Sequence, residues 1–439
     1  MLKTKDFLSD LATKCISKSK NLGATDVEVG LSNNISETLN FRNGKIEHFD
    51  RSETLSLGIT TYINKKKSNV STSNLDQNNL SLLIEKCIEC TKISPEDKYA
   101  GLPDKKELEN NKKDLDLYDD KELSNDFKQN YLEEIENEMF SFPKIKNSNG
   151  SSFSENKSNF IFANSKGFCD GYYTSTFSIF CEALAEEGGE MERDYEMSIS
   201  RFYKDLENGK TIGKIAAEKA CKRLRAKKIE SGKMPVIFDK RVSKSLLSTF
   251  ASAISGSSFV RGTSFLKEHL GKDIFSKEVN IIDDPLIEKG LGSQAFDAEG
   301  VKNKKINVVK NGRFNELLLD TYNSKILNMT SNGRCGGTTN FYLENGNEDL
   351  KKIISQQKKA FFVTELIGRA GDITNGNYSV GASGIMIENG EFTYPVNEVT
   401  IASNLKYMFK NLIPCNDLDF KTSTNSPSII IDDLTIAGK

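Results

Sequence analysis

The stretch "ISETLNFRNGKIEHF", Ile35–Phe49, sets the class of the fold. Asn43-Gly44 stands between two runs that alternate apolar and polar residues. A type I′ turn needs positive φ at both central positions, and Asn-Gly adopts it readily. The stretch therefore predicts an antiparallel hairpin. The same dipeptide recurs at Asn311-Gly312 and Asn389-Gly390. Between these meanders lie segments of helical spacing, such as Phe7, Leu8, Leu11, Ala12, Cys15 and Ile16. Strand meanders with flanking helices predict an α+β chain rather than a βαβ repeat. The N-terminal lobe is expected to combine helices with antiparallel strands. The C-terminal lobe is expected to be dominated by antiparallel sheet with an opening helix.

Three domains are expected from the composition shifts. An N-terminal α+β domain spans 1–115, a middle α+β domain 116–230, and a β-rich C-terminal domain 231–439. Ser94–Asp119 is polar and aperiodic and reads as a linker or long surface connection. "ESGKMP", Glu230–Pro235, marks the second boundary.

The 439 residues are 28% charged and 37% hydrophobic, with a net charge of -2. That balance is ordinary for a globular chain and supplies no bulk attraction to nucleic acid or anionic membrane. No apolar run reaches the ~18 residues of a spanning helix. The N-terminus reads as an amphipathic helix rather than a signal peptide. The cytoplasm is the expected location. The eight cysteines are scattered, which fits free thiols. Cys87 and Cys90 lack the second pair that a zinc site needs and read as two half-buried thiols on one helix face.

Several motifs have weak chemical content. Gly209-Lys210-Thr211 lacks the glycine that would let a loop wrap phosphate, so Thr211 reads as a helix cap. "GLGSQA" at Gly290 lacks the strand and helix that dinucleotide binding requires. "CKRLRAKK", Cys221–Lys228, reads as a basic helix end. Only His48 and His269 could serve a serine or cysteine hydrolase, and both read as structural.

The segment "SKSLLSTFASAISGSSFVRGTSF", Ser243–Phe265, raises a different question. Val242, Leu246, Leu247, Phe250, Ala253 and Ile254 have the spacing of a buried helix, and a glycine-containing loop follows. Serine and threonine fill the positions between. From Arg241 to Ser264 there is no His, Glu, Asp or Cys.

The C-terminal part resembles the TldD/PmbA family, and within it the PmbA (TldE) branch. The residues that carry this are "FVRGTSFLKEHLGKDIF" (259–275), "LGSQAFDAEGV" (291–301), "KNGRFNELLLDTYNSKILNM" (310–329), "SNGRCGG" (331–337) and the long block 363–412, with "NFRNGKIEHFDRSETLSLGI" (40–59) near the start. TldD-branch members carry H-E-x-x-x-H on the opening helix, with a late cysteine as a further zinc ligand. The resemblance places those positions near Ser248, Thr249 and Ala253, a degenerate motif. It implies no catalytic residue, metal ligand or cofactor in this chain, with zinc expected in a TldD-type partner. The implied function is the non-catalytic subunit of a heterodimeric peptidase acting on unfolded peptides such as peptide-antibiotic precursors and antitoxin-like proteins. A homodimer of the chain alone is left open by the sequence. Phe259, Arg261, Gly262, Thr263, Ser264 and Phe265 are candidates for the interface or for peptide contact, because aromatic residues and arginine anchor interfaces. Two alternatives stand beside this. One is a regulator of a DNA-processing enzyme, which the family's label as a modulator of DNA gyrase suggests. The other is an autonomous hydrolase using Asp297 and Glu299.

Overall fold

The computed structural model describes residues 2–111, 113–368 and 370–439. The opening hairpin is β1 (Asp26–Arg42) and β2 (Lys45–Ile63), and Asn43 and Gly44 take φ of 51° and 73° between them. A further left-handed pair, Asn64-Lys65, turns the chain into β3 (Lys66–Thr72). Strands β4 (Ile145–Asn164), β5 (Cys169–Glu187) and β6 (Glu190–Ser200) continue the same sheet. Its order is β3-β2-β1-β4-β5-β6, antiparallel throughout.

One face of this sheet is covered at its two ends by two helix pairs. Val27, Val29 and Leu31 pack under α1 (Lys5–Asn21) and α2 (Gln77–Ile93). Leu39 and Phe41, on the same strand and the same parity, pack under α3 (Asn125–Phe140) and α4 (Gly209–Arg223). Asn208 caps α4 by accepting from Thr211 N–H, so the cap precedes the threonine that the sequence suggested. Cys87 is buried against Thr61 whereas Cys90 is exposed, so the two thiols do not share an environment.

The opposite face of β4 and β5 meets the C-terminal lobe. Phe160, Phe162, Phe168 and Tyr172 pack on Phe296 and Leu108. Ser94–Asp119, expected as a linker, is a strap held by both lobes. Leu102, Leu108 and Leu117 are buried. Glu109 N–H donates to Gly300 O at 2.9 Å and Asp119 N–H to Ser175 Oγ at 2.8 Å. Sparse leucines too far apart to show a period suffice to seat it.

The C-terminal lobe begins with β7 (Gly232–Phe238), α5 (Lys240–Ala253) and α6 (Gly256–Arg261). The short strands β8 (Ile281–Asp283), β9 (Ile306–Lys310) and β10 (Arg313–Phe314) precede α7 (Thr321–Ile326), β11 (Phe341–Leu343) and α8 (Leu350–Ser355). Then come β12 (Lys359–Ile367), β13 (Asn377–Glu388), β14 (Glu391–Asn404), α9 (Leu405–Asn411), β15 (Ile413–Pro414), β16 (Thr424–Asn425) and β17 (Ile429–Ala437). The hairpin turns at Asn311-Gly312 and Asn389-Gly390 have the positive φ that the sequence implied. The larger sheet runs β14-β13-β12-β7-β17-β15, and β14 also pairs with β17, so five strands close into a ring. Closure leaves those strands without a free edge. Antiparallel pairs dominate, with parallel contacts only at β7–β12 and β11–β16 among the described strands. The chain is α+β.

Inside this lobe Phe250 of α5 is fully buried. It meets Phe275, Phe314 and Phe409 with ring centroids 5.2, 5.8 and 5.6 Å away. Truncation would leave a cavity that the three remaining aromatic rings cannot collapse into. Phe250→Ala is expected to destabilise the lobe by about 3–5 kcal/mol, read as a lower denaturant midpoint by circular dichroism.

Candidate functional site: the cleft along α5

Helix α5 begins at Asp239, whose carboxylate accepts from Arg241 N–H at 2.8 Å and caps the first turn. Val242, Leu246, Leu247, Phe250 and Ala253 form the buried stripe. The other face looks into an open cleft between the two lobes. One compartment, about 530 Å³, is lined by Lys244, Ser245, Ser248, Tyr195, Thr364 and the Thr422–Thr424 wall. A second, about 600 Å³, continues from Ser248 past Ser252 and Ser255 to Arg261. A narrower recess of about 220 Å³ opens beside Lys219, Lys240 and Asp419.

Arg241 forms the floor. Its guanidinium makes a two-pronged pair with Asp194 of β6, at 2.6 and 3.3 Å, and donates to Thr364 O of β12 at 2.9 Å. It also lies 4.8 Å over the Tyr195 ring. Burial works against its charge, but Asp194 outweighs that and raises its pKa. Arg223 of α4 adds a 2.6 Å pair with Glu365. Both arginines join the lobes.

The hydroxyls on this helix are mostly self-sufficient. Ser248 Oγ donates to Lys244 O at 3.1 Å, Thr249 Oγ1 to Ser245 O at 3.0 Å, and Ser252 Oγ to Ser248 O at 3.0 Å. Ser248 is exposed to the cleft, Thr249 is half-buried, and Ala253 is in the core. A Cβ added at Gly371 would lie 2.8 Å from Thr249 Cγ2, so the chain passes Thr249 at close quarters.

The segment after α5 is a second helix, not a loop. Ser255 caps α6 and Gly262, at φ 68°, ends it. Phe259 and Phe265 are core residues, 7% and 8% exposed, packed on Phe314 and Phe409. Ser264 is also buried, and its Oγ accepts from Leu266 N–H. Arg261 and Gly262 are exposed at the cleft rim, with Thr263 half-buried beside them.

Asp297, buried, and Glu299, half-buried, lie behind the second compartment and do not line it. Asp297 accepts from the N–H groups of Glu299, Val301 and Cys335, and Glu299 from Thr321 N–H. Burial, then Glu299, pushes the Asp297 carboxyl up to about 7. Its oxygens are committed to the turn, which is a structural use. His48 is exposed on β2, and His269 has its Nδ1 buried without a partner. Gly290 and Gly292 sit in a turn packed on Asn340 and Thr339, with no helix following.

Comparison with known proteins covers most of the chain. Residues 231–438 match the PmbA/TldA metallopeptidase C-terminal domain, 118–224 the central domain and 27–90 domain 1. The chain belongs to the PmbA/TldD metallopeptidase family. It is 33% identical to the Metalloprotease PmbA homolog of Buchnera aphidicola from Acyrthosiphon pisum, over 96% of this chain and 94% of that one. It is 32% identical to Metalloprotease PmbA of Escherichia coli O157:H7, over 94% and 92%. A TldD homolog from the same Buchnera strain matches at 27% over only 60% of this chain. Among solved structures, a "putative modulator of DNA gyrase" from Bacteroides thetaiotaomicron superposes with a TM-score of 0.92 at 26% identity, covering 98% of both chains. TldE from Thermococcus kodakarensis shares the fold, with a TM-score of 0.85 at 20% identity over 98% and 100%.

The family name implies a metal, and Ser248, Thr249 and Ala253 do not fit one. Hydroxyls bonded to their own backbone and a core methyl group are not zinc donors. Ser248 and Ala253, five residues apart, are about 140° apart around the helix, one in the cleft and one in the core. Cys415 is buried in a separate apolar cluster with Ile237 and Phe362, and burial pushes its thiol up to about 12. No group of three potential ligand side chains occurs among the described residues.

Ser248→His with Thr249→Glu and Ala253→His is therefore expected to recruit no tight zinc, checked by elemental analysis. Ala253→His alone overpacks the core and is expected to destabilise the fold by about 1–3 kcal/mol in denaturant titration.

Proposed function

We propose that this chain is the subunit without metal chemistry in a two-component peptidase, paired with a TldD-type chain that carries the zinc. The observation that supports this most is the α5 cleft. Its shape is open and preformed, while the helix that forms its wall offers hydroxyls instead of ligands. In this reading the cleft helps to hold an extended, unfolded peptide. The pairing surface includes the exposed end of α6, where Arg261, Gly262 and Thr263 stand over the buried Phe259, Ser264 and Phe265. An exposed arginine on a rigid, aromatic-backed base is a usual interface anchor. No described helix is long and apolar enough to cross a membrane. The cytoplasm is the location we assign.

The decisive experiment is a peptidase assay of this chain, of a TldD-type chain and of their mixture, with an unstructured peptide. Cleavage is expected in the mixture, with none from this chain alone. Robust turnover by this chain alone would end the reading. For the surface, Arg261→Glu is expected to fold with an unchanged melting temperature yet lose about tenfold or more in affinity for the TldD-type chain. Co-purification at wild-type yield would remove Arg261 from the interface.

A further inference from the structure

Around the end of the cleft nearest Lys244 the other cations are paired, whereas Arg261 at the far rim is exposed to solvent. Lys219 Nζ lies 2.6 Å from Glu196, Lys240 Nζ 3.4 Å and Lys421 Nζ 3.9 Å from Asp419, and Arg241 2.6 Å from Asp194. Lys244 lines both the narrow recess and the open compartment, and among the described residues its ammonium has neither a carboxylate nor a hydrogen-bond acceptor. Burial, and then the Arg241 guanidinium, lower its pKa. The next residue repeats the pattern. Ser248, Thr249 and Ser252 bond back to carbonyls one turn earlier, whereas the buried Ser245 Oγ has no partner. Both side chains line the compartment that faces Thr422, Ser423 and Thr424.

A half-buried cation next to another cation is unfavourable unless an anion joins it. An unpartnered buried hydroxyl carries its own penalty. One ligand group would satisfy both once a χ1 rotation of Ser245 brings its buried Oγ to the compartment that the residue lines. A carboxylate accepts a charge-assisted hydrogen bond from an ammonium and a second from a hydroxyl. The cleft also has length. The exposed face from Lys244 through Ser248 and Ser252 to Ser255 covers about 16 Å at 1.5 Å per residue. An extended peptide of about five residues spans that distance.

We propose that Lys244 and Ser245 form a carboxylate-anchoring subsite, which selects extended peptides bearing an acidic group at one end of the α5 cleft. The proposal rests on the peptide-holding reading of that cleft. An acidic side chain and a peptide C-terminus offer the same chemistry, and the test separates them.

The test is calorimetric titration of the full chain, alone and mixed with a TldD-type chain, with three hexapeptides. One is neutral and amidated, one neutral with a free C-terminal carboxylate, and one amidated with a single internal Glu. Wild type is expected to bind at least one acidic peptide about tenfold more tightly than the neutral one, since hydrogen bonds to charged groups are worth that much. Whichever acidic peptide gains identifies the source of the carboxylate. Lys244→Gln is expected to abolish the preference, Ser245→Ala to reduce it, and Lys244→Arg to restore part of it. Added salt should shrink it. Lys244→Gln also removes an unpaired charge, so its melting temperature should not fall. A lowered melting temperature with the preference intact would make Lys244 structural and overturn the subsite. Equal binding of all three peptides by wild type would overturn the subsite and leave the peptide cleft standing. Binding of none of them, by chain or mixture, would overturn both.

Discussion

The two-pronged pair between Arg241 and Asp194 fixes how α5 is presented. Arg241 is in the first turn of a helix, where a positive charge opposes the helix dipole. Local propensity therefore does not favour it there. Its partners come from elsewhere: Asp194 and Tyr195 from β6, and Thr364 O from β12. A buried pair of this kind adds little net stability, because desolvation offsets the attraction. What it adds is orientation. With the guanidinium held at both oxygens and stacked on a ring, α5 cannot rotate about its axis without breaking several bonds at once. That rotation decides whether Ser248 faces the cleft or the core.

Given this orientation, the polar face of α5 divides into two parts. The Ser248–Ser252 part needs nothing from outside, because its hydroxyls are satisfied by the helix's own carbonyls. Such back-bonding suits a helix that borders solvent without coordinating anything. The Lys244–Ser245 part is the reverse, with an ammonium and a hydroxyl left open. If the helix were only a remnant scaffold, both parts would be expected to reach the same self-contained state. The contrast within one turn is what gives the cleft a direction.

The sequence revealed the turns and the buried stripe because both are local. Asn43-Gly44, Asn311-Gly312 and Asn389-Gly390, each between two alternating runs, formed turns with positive φ at both residues, whereas Asn208-Gly209 opens a helix with Asn208 at φ -67°. Asn64-Lys65 adopts the same conformation without glycine, and only the pairing of β2 with β3 makes it visible. The α6 segment looked like a loop because glycine and serine disfavour helix interiors. Ser255 as a cap and Gly262 as a terminator mark its ends, but one turn of helix has no period to detect. The sequence of α5 shows its lack of His, Glu, Asp and Cys directly. The cleft was not legible, since β6, β12 and the Thr422–Thr424 wall lie far from α5 in the chain. Lys244 was visible as the last charge before Arg261. That it lacks a partner among the described residues is a fact of tertiary structure.

Rigidity then follows from how closely α6 is seated. Gly256 packs on α7 with no space for a side chain, as a Cβ there would fall 2.8 Å from Asn323 Cβ. Ser255 Oγ bonds Ser258 Oγ, and Ser258 Oγ bonds Ser252 O, which ties α6 back to α5. The two helices thus move as one body, with the cleft wall at one end and the Arg261 rim at the other. The Arg223–Glu365 and Arg241–Asp194 pairs hold that body to the first lobe. A chain that docks at the rim therefore meets a surface whose position relative to the cleft is already fixed, so docking needs no ordering of either element and its binding energy is not spent on closing the cleft.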